Sequence, residues 1–201
     1  MLEKDTFLKK IRLKNLFFFL FFFLNFESSL ANEIKGNLIK HIDSLNNFSA
    51  KFIQSNDSGI EEGVIYIGEK RIKVEYSFPS KVTIILDKRR SMYFNRDLQE
   101  VEYFNTKKSE ANIFFQILKD NSFLDNAEIS NKKKNVFIKK KYAFEDSVYL
   151  AELIFEQNPY ILRKIKISFN ETYYTISFFD HSYNQDFRKN FFSLANPLIL
   201  N

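Results

Sequence analysis

The chain has no cysteine, only four glycines and only two histidines in its 201 residues. Without cysteine there can be no disulfide, no thiol chemistry, no zinc–thiolate site and no lipid-modified cysteine of the kind that anchors bacterial lipoproteins. The glycines (Gly36, Gly59, Gly63, Gly68) have neither dinucleotide-binding nor P-loop spacing, and no Gly-x-Ser-x-Gly elbow occurs. The histidines, His41 and His181, lack a second histidine or a close acidic ligand at metal-binding spacing. His41, next to Ile42 on a helical pattern, reads as a packing or surface residue, and Asp180-His181 reads as the end of a strand. No nucleophile with an orienting base and no paired carboxylates are apparent, so catalysis is not expected, nor any cofactor or metal. A formal charge of +5 is too small for the pronounced basic stripe of a nucleic-acid-binding surface.

The first thirty or so residues are unlike the rest. Lys9, Lys10, Arg12 and Lys14 precede an apolar run from Leu16, and Ser29-Leu30-Ala31 is a small-x-small cleavage site. This pattern is that of a secretory signal peptide over residues 1–31, with Asn32 as the new N-terminus. The run is broken by Asn25 and Glu27, short of the roughly 20 apolar residues that span a bilayer comfortably. The five bases and three acids of this segment leave the remainder at +3. Residues 32–201 are then expected to form one unanchored exported domain, large enough for its own core.

Ile34, Leu38, Ile42 and Leu45 recur at helical spacing over 33–45. From Phe48 the period changes to two: Phe48, Ala50 and Phe52 share a face, with Ser49, Lys51 and Gln54 opposite them or ending the segment. Ile72, Val74 and Tyr76, then Val82, Ile84 and Leu86, continue this alternation. Asp87-Lys88-Arg89 and Asn95-Arg96-Asp97 mark turns before a strand over Leu98–Phe104. Between Ser109 and Asn126 the alternation stops, and Ala111, Phe114, Phe115 and Leu118 indicate a second helical stretch. Strands return at 127–133, 136–142, 149–155, 162–169 and 172–179, the last two joined by an Asn170-Glu171 turn. The basic runs Lys132–Lys134 and Lys139–Lys141 read as a solvated hairpin. Ten or eleven strands with two or three helices imply an α+β fold, mainly β, in which one curved antiparallel sheet forms an open barrel around the helices. Its 17% aromatic content fits either a dense core or the lining of an apolar cavity, and periodicity does not separate the two.

The segments Phe48-Ser49-Ala50-Lys51-Phe52-Ile53-Gln54, Gly63 and Val74-Glu75-Tyr76-Ser77-Phe78-Pro79 occur in that order, followed by Tyr93-Phe94-Asn95-Arg96-Asp97-Leu98-Gln99-Glu100-Val101. A looser continuation runs through Leu153-Ile154-Phe155, Asn158-Pro159, Leu162, Thr175-Ile176 and Phe191-Phe192-Ser193 to Pro197. Together these resemble the outer-membrane lipoprotein carrier proteins (LolA). The resemblance implies an unclosed antiparallel β-barrel with an α-helical lid over an apolar cavity. It implies acylated lipoproteins as cargo and an inner-membrane ABC transporter that releases them, and it leaves open an outer-membrane acceptor. It further implies a monomer whose lipid-binding wall contains Phe52, Ile72, Val74, Tyr76, Ile84 and Leu86, with Leu38 and Phe115 on the lid. Many members have Arg-Pro-Gly-(Lys/Arg) before the Glu-Tyr strand. Here that stretch is Gly68-Glu69-Lys70-Arg71, so the lid-latching arginine falls at Gly68, and Arg71 or Lys70 is the substitute. The alternative on the same fold is a periplasmic regulatory module that binds lipid or protein without ferrying it.

Overall fold

The computed structural model describes residues 33–144 and 146–199, and the expected signal segment lies outside them. Two units divide between Leu38 and Ile39. Of the first, residues 33–38 are described; they are helical, with Ile34 and Leu38 buried. The helix, α1, continues to residue 44 in the second unit, which carries the remaining elements.

The second unit begins with six strands: β1 (Phe48–Asn56), β2 (Gly59–Ile67), β3 (Ile72–Phe78), β4 (Val82–Leu86), β5 (Arg90–Asn95) and β6 (Glu100–Asn105). A 3₁₀ turn (Thr106–Lys108), helix α2 (Ala111–Lys119) and a second 3₁₀ turn (Asn121–Leu124) interrupt them. Five strands complete the sheet: β7 (Glu128–Lys132), β8 (Asn135–Phe144), β9 (Ser147–Glu156), β10 (Ile161–Phe169) and β11 (Thr172–Ser182). All neighbours are antiparallel, in the order β6-β5-β4-β3-β2-β1-β11-β10-β9-β8-β7. The two meanders are joined through β1 and β11, while β6 and β7 remain edges, so the barrel is unclosed. The link from one edge to the other contains α2. Its start is pinned by a buried hydroxyl pair, Ser91 and Thr106, whose oxygens are 2.6 Å apart, and by the Thr106 hydroxyl donating to the Asp87 carbonyl at 2.6 Å.

Cross-strand pairs set the inner face. Ile65 opposes Val74, Val74 opposes Ile84 and Ile72 opposes Leu86, all on one side of the pleat. Toward β8 and β9 this face is solid: Val136, Ile138, Ala151, Leu153 and Phe155 are fully buried, as are Ile117, Phe123 and Leu124 from the link. The outer face of β2–β6 is covered by the chain after β11. There Phe187, Phe191 and Phe192 cluster with centroids 5.0–5.1 Å apart, and Phe191 meets the Tyr66 ring edge-on at 4.9 Å. The Tyr103 hydroxyl donates to the Leu194 carbonyl at 3.0 Å, and Ile85 and Met92 are buried on this side. On the same face Glu75 bridges Lys73 at 2.9 Å and Arg96 at 2.7 Å. Burial opposes ionisation of Glu75, but its two cationic partners outweigh it and hold the carboxyl below its ordinary range.

Several boundaries differ from the sequence reading. Strand β2 was not anticipated, because Glu61-Glu62 and two glycines obscure its alternation. Leu98 and Gln99 belong to a turn, with Gln99 at φ 55°, so β6 starts at Glu100. Left-handed turn residues are mostly asparagines (Asn47, Asn126, Asn158, Asn170 and Asn184) in a chain with few glycines to take that role. The basic hairpin is the β7–β8 connection, with Lys132, Lys133 and Lys134 exposed.

His41 is a packing residue. Its ring meets Phe155 edge-on at 5.6 Å, and its Nε2 is buried without a hydrogen-bond partner. Burial, and then the charge of His181, hold its pKa down at about 4 against an ordinary 6.5. Because the folded pKa is the lower one, the unfolded chain binds the extra proton between these values. Stability is therefore complete above pH 6.5 and is lost as the pH falls toward 4. Urea titrations over this range should show His41 contributing about 3 kcal/mol of that loss. His41→Leu should flatten the profile by the same amount.

Candidate functional site

The rest of the inner face is hollow. Under α2 lies an apolar cavity of about 300 Å³, at the lower edge of the usual range for ligand sites. Ala111, Ile113, Phe114 and Leu118 of α2 form one wall. Sheet residues from both meanders form the other, among them Ile65 of β2, Ile165 and Ile167 of β10, and Ile176 and Phe178 of β11. The two alternatives left by the aromatic content are thus both realised: the face is filled toward β8–β9 and hollow toward β1–β4 and β10–β11.

Of the residues implied as a lipid-binding wall, Phe52, Ile72, Val74, Tyr76, Ile84 and Leu86 all line the cavity. Phe115 does not. It sits one position, and so about a quarter turn, from Phe114, which does line it. Leu38 is fully buried in α1 and is not among the lining residues. Sequence reading missed the contribution of β10 and β11, although the alternation of Ile165 and Ile167 with lysines was the available signal. It also left Gln54 opposite Phe52 or at a strand end. Gln54 shares the inner face with Phe52, because β1 runs regularly on to Asn56 opposite β2.

Gly63 makes the Phe52 position possible. A Cβ at residue 63 would lie 2.3 Å from the Glu75 carbonyl oxygen and 2.8 Å from the Phe52 ring. The bare backbone lets that ring lie against the wall, where it meets Tyr76 edge-on at 5.2 Å. The two charged or strongly polar spots on the lining are also separated. Glu110 accepts from the Tyr149 hydroxyl at 2.5 Å beside the start of α2, and Gln54 accepts from the Tyr76 hydroxyl at 3.3 Å on the sheet.

The latch differs from the one implied by the resemblance. Arg71 does not reach α2: its Nε donates to Asp87 Oδ2 at 2.6 Å and its Nη1 to the Phe192 carbonyl at 2.9 Å, so it clasps the C-terminal segment. At residue 68 the Phe192 ring takes the space that a side chain would enter. A Cβ there would fall 2.6 Å from the Phe192 ring. The contact between lid and wall is reversed in direction. Lys119, at the end of α2, donates from Nζ to the Gly68 carbonyl at 2.9 Å and to Asn46 Oδ1 at 2.6 Å. Burial lowers the pKa of Lys119, against the opposing charges of Glu69 and Asp43. Asn121 donates to Asp43 Oδ1 at 2.8 Å and Lys140 to the Ser122 carbonyl at 3.0 Å, so the C-terminal end of the lid is tied at several polar points.

A family model described as outer membrane lipoprotein carrier protein LolA matches residues 43–195. The chain belongs to that family, whose members bind and carry rather than catalyse. No curated protein matches the chain by sequence. Among solved structures, MucB in complex with MucA(peri) aligns with a TM-score of 0.44 and 9% identity. That alignment covers 80% of this chain and 58% of the other, so the chain spans little more than half the length of MucB. LprF from Mycobacterium bovis aligns with a TM-score of 0.38 and 8% identity, over 78% of this chain and 95% of that one. An outer membrane lipoprotein-sorting protein domain from Vibrio parahaemolyticus gives 0.44 and 8%, over 77% and 94%.

Two substitutions test this construction. Gly63→Ala should cost about 1–3 kcal/mol in urea denaturation, since backbone stands where the methyl would go. Lys119→Met should cost about 1 kcal/mol and speed amide hydrogen exchange within α2 more than within β9, because the bonds it removes hold the lid.

Proposed function

We propose that the protein is a periplasmic chaperone that takes the acyl chains of lipoproteins released from the inner membrane and carries them to the outer membrane. The observation that supports this most is the apolar cavity between α2 and the inner wall of an unclosed sheet. Exposing an acyl chain to water costs about 0.8 kcal/mol per CH₂, on the order of 10 kcal/mol for a long tail. An acylated protein therefore needs an escort across an aqueous space, and an apolar wall under a movable helix can supply one. Displacing α2 changes how much of that wall a tail can reach, which balances uptake against release. An ABC transporter of the inner membrane is the proposed donor, and the residues proposed to hold the tails are Phe52, Ile72, Val74, Tyr76, Ile84 and Leu86 with Phe114 of the lid. No chemical reaction is part of this function.

Incubated with membranes bearing a labelled lipoprotein and its release transporter, the protein should move that lipoprotein into the soluble fraction. Ile65→Asp, which puts a charge in the cavity wall, should reduce this at least about tenfold, as expected for a buried unpaired carboxylate. If the wild-type protein binds acyl chains yet mobilises no lipoprotein, it is a binding module and the carrier role is wrong.

A further inference from the structure

A second pocket, of about 270 Å³, adjoins the first. Tyr76 and Ile84 line both, whereas no residue of α2 lines the second. Its wall is mixed: Glu61, Ser80, Tyr93 and Asn95 stand among apolar side chains. A polar chain crosses the junction. The Tyr76 hydroxyl donates to Gln54 Oε1 at 3.3 Å, and Gln54 Nε2 donates to Glu61 Oε2 at 2.5 Å. Burial, and then the charge of Glu61, raise the Tyr76 pKa to about 12, so the phenol stays a neutral donor. The arrangement suits an amphiphile, with an apolar chamber for tails, a polar step, and a smaller chamber for a head.

The charges say which head. Bases outnumber acids in the chain, 30 to 25, yet among the described residues no lysine or arginine lines either chamber. The one charged residue of the first lining is Glu110, and that of the second is Glu61. A phosphate or carboxylate brought to the junction would meet a carboxylate with no cation among the described lining residues to offset it, at a cost that a low-dielectric wall increases. A nitrogen donor would instead give Glu61 a charge-assisted hydrogen bond.

We propose that this junction receives the head of the cargo and selects a nitrogen donor beside the acyl chains, the N-terminal amine or amide of an acylated peptide, against lipids headed by phosphate or carboxylate. This inference rests on the carrier reading above. It gives the protein a means of taking lipoproteins from a membrane in which phospholipids are in large excess.

Three ligands with the same diacylglyceryl tails test it by displacement of a neutral fluorescent diacylglycerol from the protein. They are an S-diacylglyceryl-cysteinyl peptide with a free α-ammonium, its N-acetylated form, and phosphatidylglycerol. The free-amine peptide should bind at least about tenfold more tightly than phosphatidylglycerol, the worth of one charge-assisted contact. Equal preference for the N-acetylated peptide identifies an amide N–H as sufficient, and preference for the free amine alone identifies the ammonium. Glu61→Gln should shrink the ratio to within about threefold, and Glu61→Lys should invert it toward phosphatidylglycerol, with far-UV circular dichroism checking the fold of both. Equal affinity of the wild type for peptides and phospholipid, or a ratio unmoved in both variants, overturns head-group selection and leaves the carrier reading standing. Failure of every acylated ligand to displace the probe overturns both.

Discussion

A wide antiparallel sheet with one apolar face must cover that face, and this chain has little with which to do it. Among the described residues of the second unit, eleven strands leave residues 39–44 of α1, α2 and two 3₁₀ turns for the inner side. Those elements fill the face over β8 and β9, where side chains from both layers are fully buried. Elsewhere α2 bridges the sheet without filling it. Packing at the density of protein interiors would remove the void, and a void lined by hydrocarbon costs stability in proportion to its size. A sheet that keeps one beneath a helix has traded some of its own cohesion for room to hold something else.

The topology decides where that room lies. Because the two meanders meet at β1 and β11, the open seam falls between β6 and β7, and the segment joining those edges crosses the concave side, where α2 lines the cavity. The lid is that crossing, fixed by the Ser91–Thr106 hydroxyl pair where it leaves β6 and by Lys119, Asn121 and Lys140 where it reaches β7. Between these polar ends the residues that α2 and the wall turn toward the cavity are mostly apolar. The outer face follows the opposite logic. There the C-terminal aromatic cluster, held by Arg71, packs against β2–β6, and its Phe192 ring occupies the space into which a side chain at residue 68 would project. Residue 68 thus presents only its backbone to the lid, and its carbonyl accepts from Lys119 of α2.

The strand count, both helical stretches and the β1, β3 and β4 wall were legible because period-two alternation survives wherever one face is buried. What alternation could not give was the partner of each face. Strand β2 was hidden by Glu61 and Glu62, and these same acids proved informative, since Glu61 faces inward by pairing with Gln54. Phe114 and Phe115 are indistinguishable by composition, and only the angle of α2 selects between them. Arg71 was read as a substitute lid latch from the resemblance, because the family arginine falls at Gly68. Its partners are Asp87 and the Phe192 carbonyl, the latter 121 residues away in sequence, and no local pattern predicts that contact. Family order named six residues that line the cavity; side-chain direction, and therefore charge at the cavity junction, required three dimensions.

The claim on which the rest depends is that acyl chains enter the hollow half of the inner face. Isoleucines report on it directly, because they lie on both sides of the sheet: Ile65, Ile72, Ile84 and Ile165 line the cavity, while Ile85 on β4 and Ile154 on β9 alternate with inward neighbours and face outward. Methyl NMR spectra recorded with a spin-labelled acyl ligand should show broadening of the first four resonances and leave the last two sharp. Broadening confined to the outward isoleucines, or none at all at saturating ligand, would contradict the account.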